Sequence, residues 1–187
     1  MRKIILISFL SLIPAITVAQ TAQASLFLKQ GLAAAKQAKM PSYKAKALAQ
    51  VGASYMRAGK TQTAATVFSE AFEAAKKTTM FPRGEILAYV AMEMAQAGAN
   101  DQAYSAAISW PDSRFKDSAL VEIAHGYSSK QNWNQAKQAI EGIKLPRFKA
   151  LAYSMMSDVL LNRGTARSYS TFTKRKALYQ DFYKSQD

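Results

Sequence analysis

The sequence predicts an all-α fold built from antiparallel helical hairpins. Three observations carry this reading. Alanine, the best helix former, is the most frequent residue after position 24. Pro41, Pro82, Pro111 and Pro146 fall between periodic segments rather than inside them. No run alternates apolar and polar residues long enough to read as a strand.

The elements follow in order. Arg2 and Lys3 precede a mostly apolar run from Ile4 to Val18, and Ala22-Gln23-Ala24 gives a small-x-small site. This is the layout of a signal peptide, expected to be cleaved after Ala24. The run of 15 residues would rise only ~22 Å as a helix, short of the ~30 Å hydrocarbon core. Residues 1–24 are therefore read as an address, 25–164 as a helical repeat domain, and 165–187 as a basic, aromatic capping helix and tail. Nine helices are expected: 25–39, 42–58, 61–77, 83–97, 100–109, 114–130, 132–143, 147–163 and 166–183. No later segment reads as a transmembrane span.

The segments can be laid over one another. Leu48-x2-Val51-Gly52-x2-Tyr55 is followed by Gly59, then Ala64-x3-Phe68 and Ala71. Leu87-x2-Val90-Ala91-x2-Met94 is followed by Gly98, then Ala103-x3-Ala107. Leu120-x2-Ile123-Ala124-x2-Tyr127 is followed by Ala136-x3-Ile140. From Gly52 to Ala91 the offset is 39, and from Ala91 to Ala124 it is 33. Arg147-Phe148-Lys149-Ala150 repeats Arg114-Phe115-Lys116-Asp117, again 33 residues on. Small residues at 52, 91 and 124 let paired helices approach. Gly59, Gly98 and Gly164 stand where a left-handed C′ residue is needed. Tyr55, Met94 and Tyr127 are expected to be buried between neighbouring units.

On those residues the first unit resembles a tetratricopeptide repeat (TPR). Gly52, Tyr55, Ala64, Phe68 and Ala71 match that family's spacing, while Leu48 stands for its Trp and Val51 for its Leu. The later units keep only the small and large apolar positions. The resemblance implies a TPR-like α-solenoid: a right-handed superhelix of stacked hairpins whose first helices line a concave face. By that register Lys46, Ala49, Met56, Arg57, Met92, Gln96, His125, Ser129, Asp158 and Asn162 face the groove, as ligand-binding candidates.

Composition excludes other classes. The chain has no Cys and one His, His125. Disulfides, thiolate zinc, iron–sulfur clusters and multi-histidine metal sites are thus excluded, and no cofactor is expected. Glu122, His125, Ser128 and Ser129 form a catalytic-looking cluster only on paper, with no nucleophile elbow or oxyanion motif. Glu70 and Glu73 read as a solvated pair, with Lys77 placed to meet Glu73. The expectation is a non-enzymatic binding or scaffold module.

Charge narrows the partner. The net charge is +13; without Arg2 and Lys3 it is 25 − 2 − 12 = +11. No acidic residue precedes Glu70, and Lys174, Arg175 and Lys176 form a basic patch near the C-terminus. The expected partner is a protein or peptide, with the cations suited to an acidic one, met in the periplasm or another exported space. The alternative is an anionic surface or polymer held by the basic ends. Nucleic acid is not expected in that compartment.

Overall fold

The computed structural model describes residues 12–111 and 113–161. Among them the chain is all-α, with eight helices and no strand: α1 (Leu12–Gln37), α2 (Pro41–Arg57), α3 (Thr61–Lys76), α4 (Met80–Gln96), α5 (Asn100–Ile108), α6 (Arg114–Ser129), α7 (Trp133–Glu141) and α8 (Pro146–Leu160). The ninth expected helix, 166–183, lies outside the described residues, as does Gly164. None of the described helices is long and apolar enough to cross a membrane.

Five boundaries differ from expectation by more than one residue: α1, α7 and α8 end early, at Gln37, Glu141 and Leu160 rather than 39, 143 and 163, and the starts of α1 and α4 move. α1 begins at Leu12, well ahead of the expected start at 25. Leu12 is the first described residue, and no Gly or Pro interrupts the chain from Ala15 to Gln30. Nothing there stops a helix. α4 begins at Met80 rather than at 83 and takes Pro82 into its first turn. A proline costs little there, because the first N–H groups of a helix have no intrahelical partner. Pro41 and Pro146 occupy the first positions of α2 and α8 for the same reason.

The same turn closes three hairpins. After α2, Gly59 has φ +72°; after α4, Gly98 has φ +91°; after α6, Gln131 has φ +61°. In each turn two N–H groups reach back to orphan carbonyls. Lys60 N donates to Tyr55 O at 2.9 Å and Gly59 N to Met56 O at 3.0 Å. Ala99 N to Met94 O at 2.8 Å and Gly98 N to Ala95 O at 2.9 Å repeat this. Asn132 N to Tyr127 O at 3.0 Å and Gln131 N to Ser128 O at 2.9 Å repeat it again. This is the Schellman pattern. Lys60, Ala99 and Asn132 then open the second helices with nearly one conformation, φ −84 to −88° and ψ 52 to 66°.

The chain divides into two compact units, Met1–Ile86 and Leu87–Asp187, with the boundary inside α4. In the first unit α3 folds back on α2, and α1 lies against α2. Leu48, Tyr55, Ala64, Phe68 and Ala71 are buried. A Cβ on Gly52 would stand 2.8 Å from Phe68 Cδ1, so only glycine admits the ring. Lys36 of α1 meets Glu70 of α3 at 2.9 Å. Glu73 pairs with Lys76 at 2.8 Å, not with Lys77 as expected. Lys77 is the C-cap residue, past the last residue of α3, so it leaves the i, i+4 register.

In the second unit, Leu87, Val90 and Met94 of α4 and Leu120, Ile123 and Tyr127 of α6 are buried. So are Ala103 of α5 and Ala136 and Ile140 of α7. The Tyr127 hydroxyl donates to Asp101 Oδ1 at 2.7 Å, and its ring meets Tyr104 edge-on at 6.4 Å. Burial and the Asp101 carboxylate push the Tyr127 phenol well above its ordinary pKa. Asn100 packs directly over Gly126, leaving no room for a Cβ. Asp117, 1% exposed, accepts from the backbone N–H groups of Lys144 at 3.0 Å and Leu145 at 2.8 Å. That carboxylate fixes the α7–α8 connection. The offset of 33 reappears as a local geometry: the Arg114 and Arg147 guanidiniums each lie 4.9 Å from the ring of the following Phe.

Gly52→Leu is expected to lower stability by about 1–3 kcal/mol through overpacking against Phe68. A thermal or urea melt of the full chain measures it, and an unchanged midpoint would mean the α2–α3 register is wrong.

Candidate binding face

Register sorts the candidate residues into rows, and burial then separates the rows. Arg57, Gln96 and Ser129 are the last residues of α2, α4 and α6, each two positions before the left-handed turn. All three are exposed. One turn earlier stand Ala53, Met92 and His125, with Asp158 following at the same offset of 33. At this register position Ala53 is 1% and Met92 7% exposed, while His125 and Asp158 are half-buried.

Met92 therefore does not line a groove. It is a core residue whose sulfur lies 4.0 Å from the buried Ser118 hydroxyl. Ala49, placed on the same face by register, is fully buried too. The physical reason is helix width. α2 and α4 each bury a wide stripe, as helices with neighbours on two sides do, and the stripe extends into the face assigned to ligand.

In the first unit the structure brings Lys46, Met56 and Arg57 onto one helix. Lys46 and Arg57 are 11 positions apart, about 16 Å along the axis and on one face. Lys46 is half-buried and lies 3.9 Å from Glu85. Arg57 is exposed and its Nη2 donates to Ser54 Oγ at 3.1 Å. Met56 is half-buried. Lys46 and Arg57 thus stand at the two ends of one face of α2, whose intervening Ala49 and Ala53 are buried, with the thioether of Met56 beside Arg57.

In the second unit, Gln96, His125 and Ser129 stand near the ends of α4 and α6. Lys130 reaches across to the α4 terminus and donates to Gly98 O at 2.6 Å, where the helix dipole favours a cation. Asn162 lies outside the described residues. So do Lys174, Arg175 and Lys176.

Both serine hydroxyls beside His125 are turned to the backbone of their own helix. The Ser128 hydroxyl donates to Ala124 O at 2.8 Å and the Ser129 hydroxyl to His125 O at 2.9 Å. Each serine's single proton is committed to a carbonyl one turn back. Glu122 is buried at 6% exposure. Burial holds the His125 imidazole below its ordinary pKa of 6.5. Among the described residues no group of three or more His, Asp or Glu is placed to hold a metal.

Two features escaped sequence reasoning. Asp117 is a buried carboxylate on α6; the register residues at that place in the other units are Ala45, Gly84 and Ala150, so a charge among small residues was the available signal. The other is a cleft of about 340 Å³ in the first unit, lined by Gln20, Thr21, Ala24, Ser25, Leu28, Ala58 and Lys60. Lys60 Nζ donates to Ser25 Oγ there at 2.7 Å. The lining straddles the expected cleavage site, so removal of the leader would take Gln20, Thr21 and Ala24 from it.

No protein-family model, curated protein or solved structure matches the chain.

His125 makes stability pH-dependent. Its folded pKa is lowered, so the unfolded chain binds the proton more tightly. Stability from this group is full above the unfolded pKa of 6.5 and is lost as pH falls through the folded value. Melts between pH 7.5 and 5.5 are expected to show this loss, and His125→Gln to flatten it. Equal pH slopes in the two proteins would contradict the burial of the imidazole.

Proposed function

We propose that this chain is a non-enzymatic binding module of the periplasm or another exported space, a TPR-like right-handed solenoid that holds a partner along the first helices of its hairpins. The observation that supports it most is the contrast between constant and variable positions. The turn, the small residues at 52, 91 and 124 and the large ones at 55, 94 and 127 recur. The exposed row Arg57, Gln96 and Ser129 does not. A repeat fold keeps its core pattern and varies its surface, which is how such scaffolds acquire specificity.

The chemistry of the first unit favours an acidic peptide. Lys46 and Arg57 present two cations on one face of α2. The first 69 residues contain no carboxylate side chain to compete for them. The Glu85 contact with Lys46 is long and exposed, so an incoming carboxylate could exchange with it at small cost. Export rests on the order of charged, apolar and small residues in 1–24.

One experiment tests the reading. The tagged protein is recovered from the exported fraction, where its N-terminus is expected at Ser25, and its captured partners are compared with those of Lys46→Glu/Arg57→Glu. The double variant is expected to stay folded, because both changes are on the surface, and to lose at least 90% of capture. A folded double variant that keeps every partner would overturn the binding face. If that retained capture also fell steeply with salt, the basic ends, including Lys174, Arg175 and Lys176, would be holding an anionic surface instead.

A further inference from the structure

Tyr43, Lys46, Gln50, Ser54 and Arg57 follow one another along α2 at helical spacing, so they form one row. The row keeps to the outer side of the buried Ala49 and Ala53. Its head is apolar: Tyr43 is 63% exposed, and Met40, three positions before it, is 56% exposed. The later units treat the Tyr43 position differently. Offsets of 39 and 33 carry residue 43 to Pro82, Phe115 and Phe148. The Phe115 and Phe148 rings are half-buried, each with the preceding Arg guanidinium 4.9 Å from its centroid. On α2 the preceding residue is Ser42, which has no guanidinium to lay over a ring.

We infer that Tyr43, with Met40 beside it, is the apolar anchor of the binding row, and that the partner is an acidic peptide with an aromatic or aliphatic side chain next to the carboxylate that meets Lys46. This inference rests on the binding face proposed above and names what that face selects. Charge sets the partner's sign. From Ser25 to Ile86 the first unit carries ten Lys and Arg against three Glu, a net +7. Glu70 and Glu73 are held by Lys36 and Lys76 at 2.9 and 2.8 Å, while Glu85 stands 3.9 Å from Lys46. An exposed tyrosine beside cations is the kind of side chain that anchors interfaces, because its ring buries a large area and loses little entropy.

Spacing sets the partner's form. An extended peptide shows one face every second residue and rises about 3.3 Å per residue. Carboxylates about four residues apart span about 13 Å on one face, and the long Lys46 and Arg57 side chains cover the rest of their separation. A ring two residues outside the first carboxylate then reaches Tyr43, which is about one helical turn from Lys46. A lipid surface suits the row less. A helix face that enters a bilayer interface is apolar along its length, whereas here the apolar residues stop at Tyr43 and polar Gln50 and Ser54 fill the middle. The Ser54 hydroxyl donates to Gln50 O at 3.0 Å and accepts from Arg57 at 3.1 Å.

Binding of fluorescent synthetic peptides to the chain from Ser25 onward, read by anisotropy at low salt, tests it. The probe is a Ser/Gly peptide with two glutamates about four residues apart and a phenylalanine two residues outside one of them, made in both chain directions. Its twin has serine in place of the phenylalanine. The better phenylalanine peptide is expected to bind at least fivefold more tightly than its twin. Tyr43→Ser is expected to erase that ratio and Tyr43→Phe to keep it, both staying folded because position 43 is on the surface. Lys46→Glu/Arg57→Glu is expected to abolish binding of both peptides. A ratio near one in the unmodified protein, or one that survives Tyr43→Ser, would overturn the inference, and charge-dependent binding of both peptides would leave the underlying face standing. Binding of neither peptide, or binding indifferent to the charge reversal, would overturn both. Tyr43-dependent binding to anionic vesicles, with the peptide ratio near one, would assign the row to a lipid surface instead.

Discussion

Each described hairpin depends on one backbone event: a single residue in the left-handed region two places past the end of its first helix. That residue reverses the chain while two N–H groups satisfy carbonyls the helix leaves open. It therefore sets where the second helix begins and which of its residues meet the first. Ala64, Ala103 and Ala136 are all fully buried because each lies five residues past its turn. Gly52 faces Phe68 for the same reason. Once the turn is fixed, the small and large apolar positions have only one way to interdigitate.

The two units use this device with different supplements. In the first, α1 is tied to the hairpin by surface groups, Lys36 to Glu70 and Lys60 to Ser25. Exposed pairs of this kind contribute about 0–1 kcal/mol each. In the second, buried polar groups do the positioning. Asp117 accepts two backbone N–H bonds at the α7–α8 connection, and Tyr127 bonds Asp101 across α5 and α6. Bonds to a buried charge are stronger, and leaving such a charge unpaired is costly. The connection before α8 is thus specified by one side chain rather than by a glycine.

Local rules made the hairpins legible in the sequence. Gly59 and Gly98 mark turns because glycine tolerates positive φ, and the prolines mark the approaches to α2 and α8. Gln131 carried no such mark, yet it adopts the same conformation, held by the packing of α6 and α7. Local rules erred where a neighbour decides. Met92 reads as groove-facing until the width of α4's buried stripe is known. Glu73 reads as a partner of Lys77 until the helix is seen to end at Lys76. α1 outran its expected start because no Gly or Pro between Ala15 and Gln30 stops a helix. Asp117 was legible only as an exception among small residues, and its partners come from a loop 27 and 28 positions away.

The claim that one left-handed turn organises the fold is tested most directly by exchanging residues at two of the turns. Gly59 has φ +72° and open space around a would-be Cβ, so Gly59→Ala adds backbone strain and nothing else. Gln131 already bears that strain at φ +61°, so Gln131→Gly relieves it. Urea unfolding of the two variants is predicted to move in opposite directions, Gly59→Ala down by about 1 kcal/mol and Gln131→Gly up by about 0.5–1 kcal/mol. A neutral Gly59→Ala together with a destabilising Gln131→Gly would contradict the account.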